Sequence, residues 1–189
     1  VIVSSSFSLE YCEKQNLFNK ASYIPCSLDT KRFVLKKHSD SPLPVIGWTG
    51  TFSSVVYLDS MKDIFYKLKE LRDFKLVLIT NFDYELPGID LEVIRWNKAS
   101  EIKDLHRIDI GIYPLIEEEW SLGKGGLKVL QYMAIGVPAI ATNYGTACNI
   151  INSEKNGFLV NNEAEWIETL CLLIDSYELR EKIGKKARE

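Results

Sequence analysis

From Pro44 onward the chain alternates short apolar runs with stretches of helical period, and this alternation limits the fold more than any other feature. "PVIGWTG", "FKLVLIT", "LEVIRW", "IDIGIYP", "PAIAT" and "FLV" read as strands. Between the first two, "VVYLDSMKDIFYKLKEL" sets Val56, Leu58, Met61, Ile64, Phe65 and Leu68 at helical spacing. "EAEWIETLCLLIDSYEL" reads as one amphipathic helix with Trp166, Leu170, Leu173, Ile174 and Tyr177 on one side. "SEIKDLHR" reads as a short helix capped by Ser100, and "GGLKVLQYMAI" as a helix ended by Gly136 and Pro138. Apolar strands alternating with helices predict an α/β fold, a Rossmann-like parallel sheet with helices on both faces.

The residues before Pro44 differ. "VIVSS" reads as a short strand, "SLEYCEKQN" as a short helix, "YIPCSLDTKRF" as an extended connector, and "KKHSDSPLP" as a polar loop. We therefore expect two parts: residues 1–43, a remnant of a preceding domain plus a linker, and residues 44–189, a ligand-binding domain. The start at Val1 suggests a chain cut from a longer one.

Composition narrows the partners. A net charge of −3 argues against broad affinity for nucleic acid while leaving room for a local basic pocket. No apolar run approaches the roughly 20 residues a membrane helix needs. Cys12, Cys26, Cys148 and Cys171 form no CxxC pair, which suits reduced thiols in a cytoplasmic protein and argues against a zinc site.

In open parallel sheets, ligands bind where loops leave the strand carboxyl ends and helices begin. "YPLIEEEWSLGKGG" is the loop with the most chemistry. The amides of Gly125, Gly126 and Leu127 open a helix, where unpaired N–H groups and the helix dipole attract an anion. Lys124 adds a mobile cation just before the helix, and Lys128 follows one turn on. Phosphate or diphosphate is the natural guest, with Lys124 expected to contribute more than Lys128. The plainer alternative is a tight glycine turn with solvated lysines. The spacing is neither that of a Walker A loop nor that of a GxGxxG dinucleotide loop.

Other loops supply further candidates. Gly50 and Thr51, with Ser53 and Ser54, offer donors to the same anion, unless they form only a strand-to-helix turn. Gly145 and Thr146 offer donors to phosphate or a sugar hydroxyl, unless they only cap a helix. One of Glu117, Glu118 and Glu119 is placed to accept hydrogen bonds from sugar hydroxyls, and Glu119 is our choice. Gln131 falls three residues after Lys128 and so faces the same ligand. Trp96 and Asn97 end a strand in a ligand-side loop and are candidates for contact with a nucleobase, while Trp120 is placed to line or close the site.

Together these residues resemble the C-terminal half of a GT-B glycosyltransferase of family 4 (glycosyl transferases group 1). The block "DIGIYPLIEEEWSLGKGGLKVLQYMAIGVPAIATNYG", followed by "NGFLV", is similar to that family's succession of strand, proline, acidic and glycine loop, helix, "MAxGxPxxAT", glycine turn and "NGxLV". "YIPCSLDTKRF" resembles its interdomain linker, usually "IPxxVDxxxF". The resemblance implies a site for a nucleotide-diphosphate sugar in this half. It also implies transfer of the sugar, with retention of configuration, to a glycan or lipid-linked acceptor held by an N-terminal domain. Two features depart from the family pattern. The family helix usually carries two glutamates, whose positions here fall on Gly123 and Gln131. One of Glu117 to Glu119 is placed to stand in for the first, and Gln131 to hydrogen-bond ribose hydroxyls in place of the second. The usual arginine after the first strand is missing, a charge that Lys124 is placed to replace.

The resemblance thus implies a hexosyltransferase of cell-surface polysaccharide synthesis, needing neither metal nor cofactor. It would be cytoplasmic or at the inner face of the membrane, with peripheral membrane association of the full-length protein. The 189 residues alone would transfer no sugar, and the helix that crosses back to the first domain would be missing beyond Glu189. The rival readings are a non-catalytic nucleotide-sugar-binding module and a different GT-B enzyme, such as a sugar epimerase or a pyridoxal-phosphate-dependent phosphorylase.

Overall fold

The computed structural model describes residues 1–15, 20–38 and 43–189. Among these, six parallel strands form the main sheet: β3 (Val45–Gly50), β4 (Lys75–Thr80), β5 (Leu91–Arg95), β6 (Ile110–Tyr113), β7 (Ala139–Thr142) and β8 (Phe158–Val160), in the order β5-β4-β3-β6-β7-β8. The chain begins at the middle, runs out to β5, returns to β6 beside β3 and runs out the other way. The reversal lies between β3 and β6, where such sheets open a crevice at their carboxyl ends.

Helices cover both faces. α2 (Val55–Asp59), α3 (Lys62–Lys69) and α8 (Glu163–Asp175) bury Leu58, Phe65, Leu68, Trp166, Leu170 and Leu173 in one apolar layer with Ile46, Leu76 and Leu78. α4 (Glu101–Leu105), α6 (Leu127–Ala134) and α7 (Ala147–Ile150) pack the other layer, where Leu105, Val129, Tyr132 and Ala147 meet Val77, Ile79 and Ala141. Successive strand residues point to opposite faces, so strands sandwiched this way must be apolar throughout.

Two stretches expected to be single helices are broken, each by a serine. Between α2 and α3, Ser60 donates its hydroxyl to the Tyr57 carbonyl (2.8 Å), a local bond that competes with the helical ladder. After α8, Ser176 turns extended (φ −127°, ψ 106°) and its Oγ caps α9 (Tyr177–Arg188) by accepting from Leu179 N. Tyr177 therefore starts a new helix and does not share the Trp166 side of α8. Ser100 precedes α4 without a side-chain cap bond, and Asn97 shapes that turn by accepting from Ala99 N at 2.8 Å.

Toward the N-terminus, β1 (Ile2–Val3), α1 (Ser6–Lys14) and β2 (Ser22–Tyr23) form a small unit, with β1 and β2 in a two-stranded parallel sheet. The connector that follows is tied to the main domain. Arg188 donates to the carbonyls of Thr30 and Phe33 (both 2.8 Å), Lys36 N donates to Ile135 O (2.8 Å), and Lys36 Nζ bridges to Asp109 (2.5 Å). The expected "SDSPLP" break falls largely on residues 39–42, outside the described residues.

Among the described residues no helix is long and apolar enough to cross a membrane.

Candidate functional site

Tyr132 fixes the helix that carries the lysines. Gly111 on β6 has no side chain to oppose it: a Cβ there would lie 2.4 Å from the Tyr132 ring. The ring therefore crosses the strand, and its hydroxyl accepts from Thr49 N on β3 at 3.0 Å. One tyrosine thus spans two strands and sets α6 over the topological switch.

α6 begins at Gly126, whose φ of +73° is a left-handed conformation that suits glycine. A Cβ at Gly126 would also meet Ile150 Cδ1 at 2.5 Å. The Gly126 carbonyl is taken up by Leu130 N (3.2 Å), so the amides of Leu127, Lys128 and Val129 have no partner within the helix. Gly125 is small for a different reason, since a Cβ there would lie 2.6 Å from Cys26 Sγ and 2.7 Å from Ser4 Oγ. It lets the N-terminal unit pack against the glycine loop.

A cleft of about 230 Å³ opens here, lined by Trp48, Ser54, Tyr57, Tyr113, Pro114, Leu115 and residues 124–128. Two ammonium groups enter it. Lys124 Nζ lies 4.8 Å from the centre of the Tyr57 ring, and Lys128 Nζ lies 4.8 Å from that of Trp48. Neither lysine forms an ion pair among the described residues. Burial, reinforced by the Lys124 charge, lowers the Lys128 pKa to about 8, and burial also lowers that of Lys124. Two cations without an ion pair thus share one cleft with the first amides of α6.

A carboxylate whose charge acts on Lys124 is Glu118. It accepts from Tyr57 Oη at 2.8 Å, while Ser121 Oγ donates to the same phenol oxygen at 3.2 Å. Burial first, and then the Glu118 contact, raise the Tyr57 pKa, so the phenol stays a donor. Glu119, our choice from the sequence, opens α5 (Glu119–Leu122) and faces away from the cleft. With Trp120, Gly123 and the α1 residues Phe7, Ser8, Tyr11 and Cys12, it lines a separate groove of about 480 Å³.

The other candidates are spread around the rim. Gly50 does not line the cleft; a Cβ there would strike the Trp48 ring at 2.1 Å, so this glycine makes room for the indole beneath Lys128. Thr51 is exposed and shares a 3.0 Å hydrogen bond with Ser53. Gly145, with φ +62°, backs onto the Ser121 carbonyl, and Thr146 precedes α7 against Gly126. Gln131 is almost fully buried and donates from Nε2 to Glu101 Oε1 at 3.1 Å. The half-exposed Trp96 donates its indole N–H to the same oxygen at 3.2 Å. Asn97 is occupied in its own turn.

Trp48, Tyr57 and Tyr113 were missed as site residues. Their aromatic positions read as core, and only the tertiary fold brings them to the cleft.

A doubly wound parallel sheet with a basic cleft at its carboxyl edge is the architecture of the Rossmann-like half of GT-B glycosyltransferases. The chain belongs to the family described as glycosyl transferases group 1, whose sequence model matches residues 33–189. It is 27% identical over 103 residues to a D-inositol 3-phosphate glycosyltransferase of Paenarthrobacter aurescens (strain TC1), covering 53% of this chain and 22% of that protein. Its fold is similar to the C-terminal domain of a glycosyl transferase group 1 protein (LpcC) of Francisella tularensis, with TM-score 0.65 and 22% identity over 86% of this chain and 95% of that one. It is also similar to Anabaena Alr3699/HepE, solved in complex with UDP and glucose, with TM-score 0.69 and 14% identity over 100% of this chain and 56% of that one. The chain thus spans under a quarter of the curated relative's length.

Proposed function

We propose that residues 44–189 bind a nucleotide-diphosphate sugar, and that the protein transfers the sugar, with retention of configuration, to a glycan or lipid-linked acceptor. The observation that carries this reading is the pair of unpaired lysines, Lys124 and Lys128, converging on the free amides of α6 in one cleft. In this reading the diphosphate rests on the amides of Leu127 and Lys128 between the two ammonium groups. Their charge stabilises the nucleotide diphosphate as it departs, because fixed cations and dipoles aimed at developing charge need no reorganisation during reaction. Glu118, which accepts from Tyr57, is the carboxylate that this reading assigns to the transferred sugar. The acceptor binds through residues outside this chain, and transfer takes place on the cytoplasmic face of a membrane.

Family membership supports the reaction class, and the UDP and glucose in the Anabaena neighbour support the ligand class. Isothermal calorimetry with UDP, GDP, ADP and dTDP, each with and without EDTA, tests the donor site. We expect one nucleoside diphosphate to bind in both conditions. Binding that vanishes with EDTA would require a metal that this reading omits, and no binding by any of the four would end it.

A further inference from the structure

Lys124 and Glu118 carry opposite charges on either side of the short helix α5, yet among the described residues they form no ion pair. The two charges do interact. Burial has the larger effect on the Lys124 ammonium and lowers its pKa, and the Glu118 charge opposes that fall. In a cleft partly shielded from water, opposite charges attract more strongly than in bulk solvent. Two flexible side chains so close in the chain would ordinarily close on each other, and a paired ammonium is lost to any other anion.

The side chain that touches both is Tyr57. α2 carries it into the wall of the cleft, where it is 3% exposed. Lys124 Nζ lies 4.8 Å from the centre of its ring. Its hydroxyl donates to Glu118 Oε1 at 2.8 Å. The buried Ser121 Oγ donates to the same phenol oxygen at 3.2 Å, so the phenol's own hydrogen is left for the carboxylate. One side chain thus holds the ammonium by its ring and the carboxylate by its hydroxyl. The two grips differ in kind. A ring face attracts a cation without an acceptor oxygen, so an ammonium resting on it keeps N–H groups for a ligand. A carboxylate in the same place would occupy them.

We propose that Tyr57 is a positioning residue that separates Lys124 from Glu118 and so keeps the ammonium available to the phosphates of the ligand. The hydroxyl detains the carboxylate, and the ring steadies the ammonium within the cleft. Tyr57 acts through Lys124 and has no need to touch the ligand. The inference rests on the nucleotide-binding reading above.

The test is a mutant cycle on Tyr57→Phe, which keeps the ring and removes the hydroxyl. The change is made in the wild-type chain and in a chain that already carries Glu118→Gln, with melting temperature as the folding control. Affinity for UDP, GDP, ADP and dTDP is read by calorimetry. For the nucleotide that binds, Tyr57→Phe should cost roughly tenfold in the wild-type chain, the value of a hydrogen bond to a charged group. Beside Glu118→Gln it should cost almost nothing, because a neutral amide does not draw the ammonium away. Nuclear magnetic resonance of the lysine side chains gives a second readout without ligand. The Lys124 pKa should rise in Tyr57→Phe, as pairing favours the charged form, and fall back in the double variant. An equal loss of affinity in both backgrounds would mean that the phenol only braces α2 against α5, and would overturn the proposal while leaving the nucleotide site standing. An unchanged affinity in a folded Tyr57→Phe chain, or a Lys124 pKa that does not rise, would overturn it as well. Absence of nucleotide binding in wild type overturns both the site and the role of Tyr57.

Discussion

At the residue scale, Lys128 carries the sharpest expectations. The sequence suggested that Lys124 should matter more, because it stands at the helix mouth. The fold places Lys128 deeper, over Trp48, with the larger drop in pKa. We expect Lys128→Ala to weaken nucleoside diphosphate binding at least as much as Lys124→Ala. Each should cost about 1.5–3 kcal/mol, roughly tenfold to a hundredfold, as calorimetry would report. An unchanged affinity in Lys128→Ala would return that lysine to a packing role.

A second expectation concerns pH. The Lys128 pKa is lowered from 10.5 to about 8, so in this range the unfolded chain holds a proton that the fold has released. Stability contributed by this group therefore rises with pH between about 8 and 10.5. Anion affinity moves the other way, because the charge that attracts the ligand is lost above about 8. Affinity and melting temperature measured from pH 7 to about 10 should diverge in wild type, and Lys128→Met should flatten both trends.

At the element scale, α6 depends on the residue that caps its start and α8 on a side chain from its successor. Gly126 holds a left-handed φ and touches Ile150, so Gly126→Ala should cost about 1–3 kcal/mol in backbone strain alone and tilt the helix start away from the ligand. Urea unfolding and nucleotide affinity should fall together; a variant as stable as wild type would contradict this account. Arg180 is buried at 1% exposure and donates to the last carbonyls of α8, Leu173 (2.6 Å) and Ile174 (3.0 Å). Arg180→Ala leaves both acceptors bare in the joint between two helices and should lower unfolding free energy by about 3 kcal/mol. A loss below 0.5 kcal/mol, the size of an ordinary surface change, would rule out that role.

The elements were legible where one physical signal acted alone. "FKLVLIT" and "PAIAT" became β4 and β7 because strands covered on both faces must be apolar throughout. The two breaks escaped because Ser60 and Ser176 look like ordinary helix-surface residues until their hydroxyls find local partners. Within the site, the lysines and glycines could be read because they adjoin in the chain. The Tyr57–Glu118 contact could not, because it joins segments far apart in the chain and neither residue is unusual where it stands. Gly50 was read as a donor to the anion, whereas in the fold its missing side chain makes room for the Trp48 ring.

At the scale of the whole molecule, the connector and the N-terminal unit should behave differently. Lys36 is bonded to the main domain through its backbone and its side chain, and the Lys36–Asp109 pair is buried. β1 and β2 have two residues each, and those of β2 are exposed. Amide exchange should therefore place Lys36 among the slow core positions, with Ser22 and Ile24 among the fast ones. Equal protection of all three would mean that the N-terminal unit is locked to the domain.

The order in which the sheet is laid down also bears on how the protein is made. A ribosome completes β3, β4 and β5 before β6 exists, so the half-sheet first leaves the ribosome with the side of β3 that β6 later covers still unpaired. Val45–Gly50 is a buried apolar strand in the finished fold, and at typical synthesis rates its open side would wait on the order of seconds for its partner. Both walls of the cleft come from opposite sides of that seam, Trp48 and Tyr57 from the early half and Lys124 and Lys128 from the late half. If the proposed site holds a nucleotide, a nascent chain has no grip on it until the seam has closed, and a nucleotide bound afterwards acts as a clip across it.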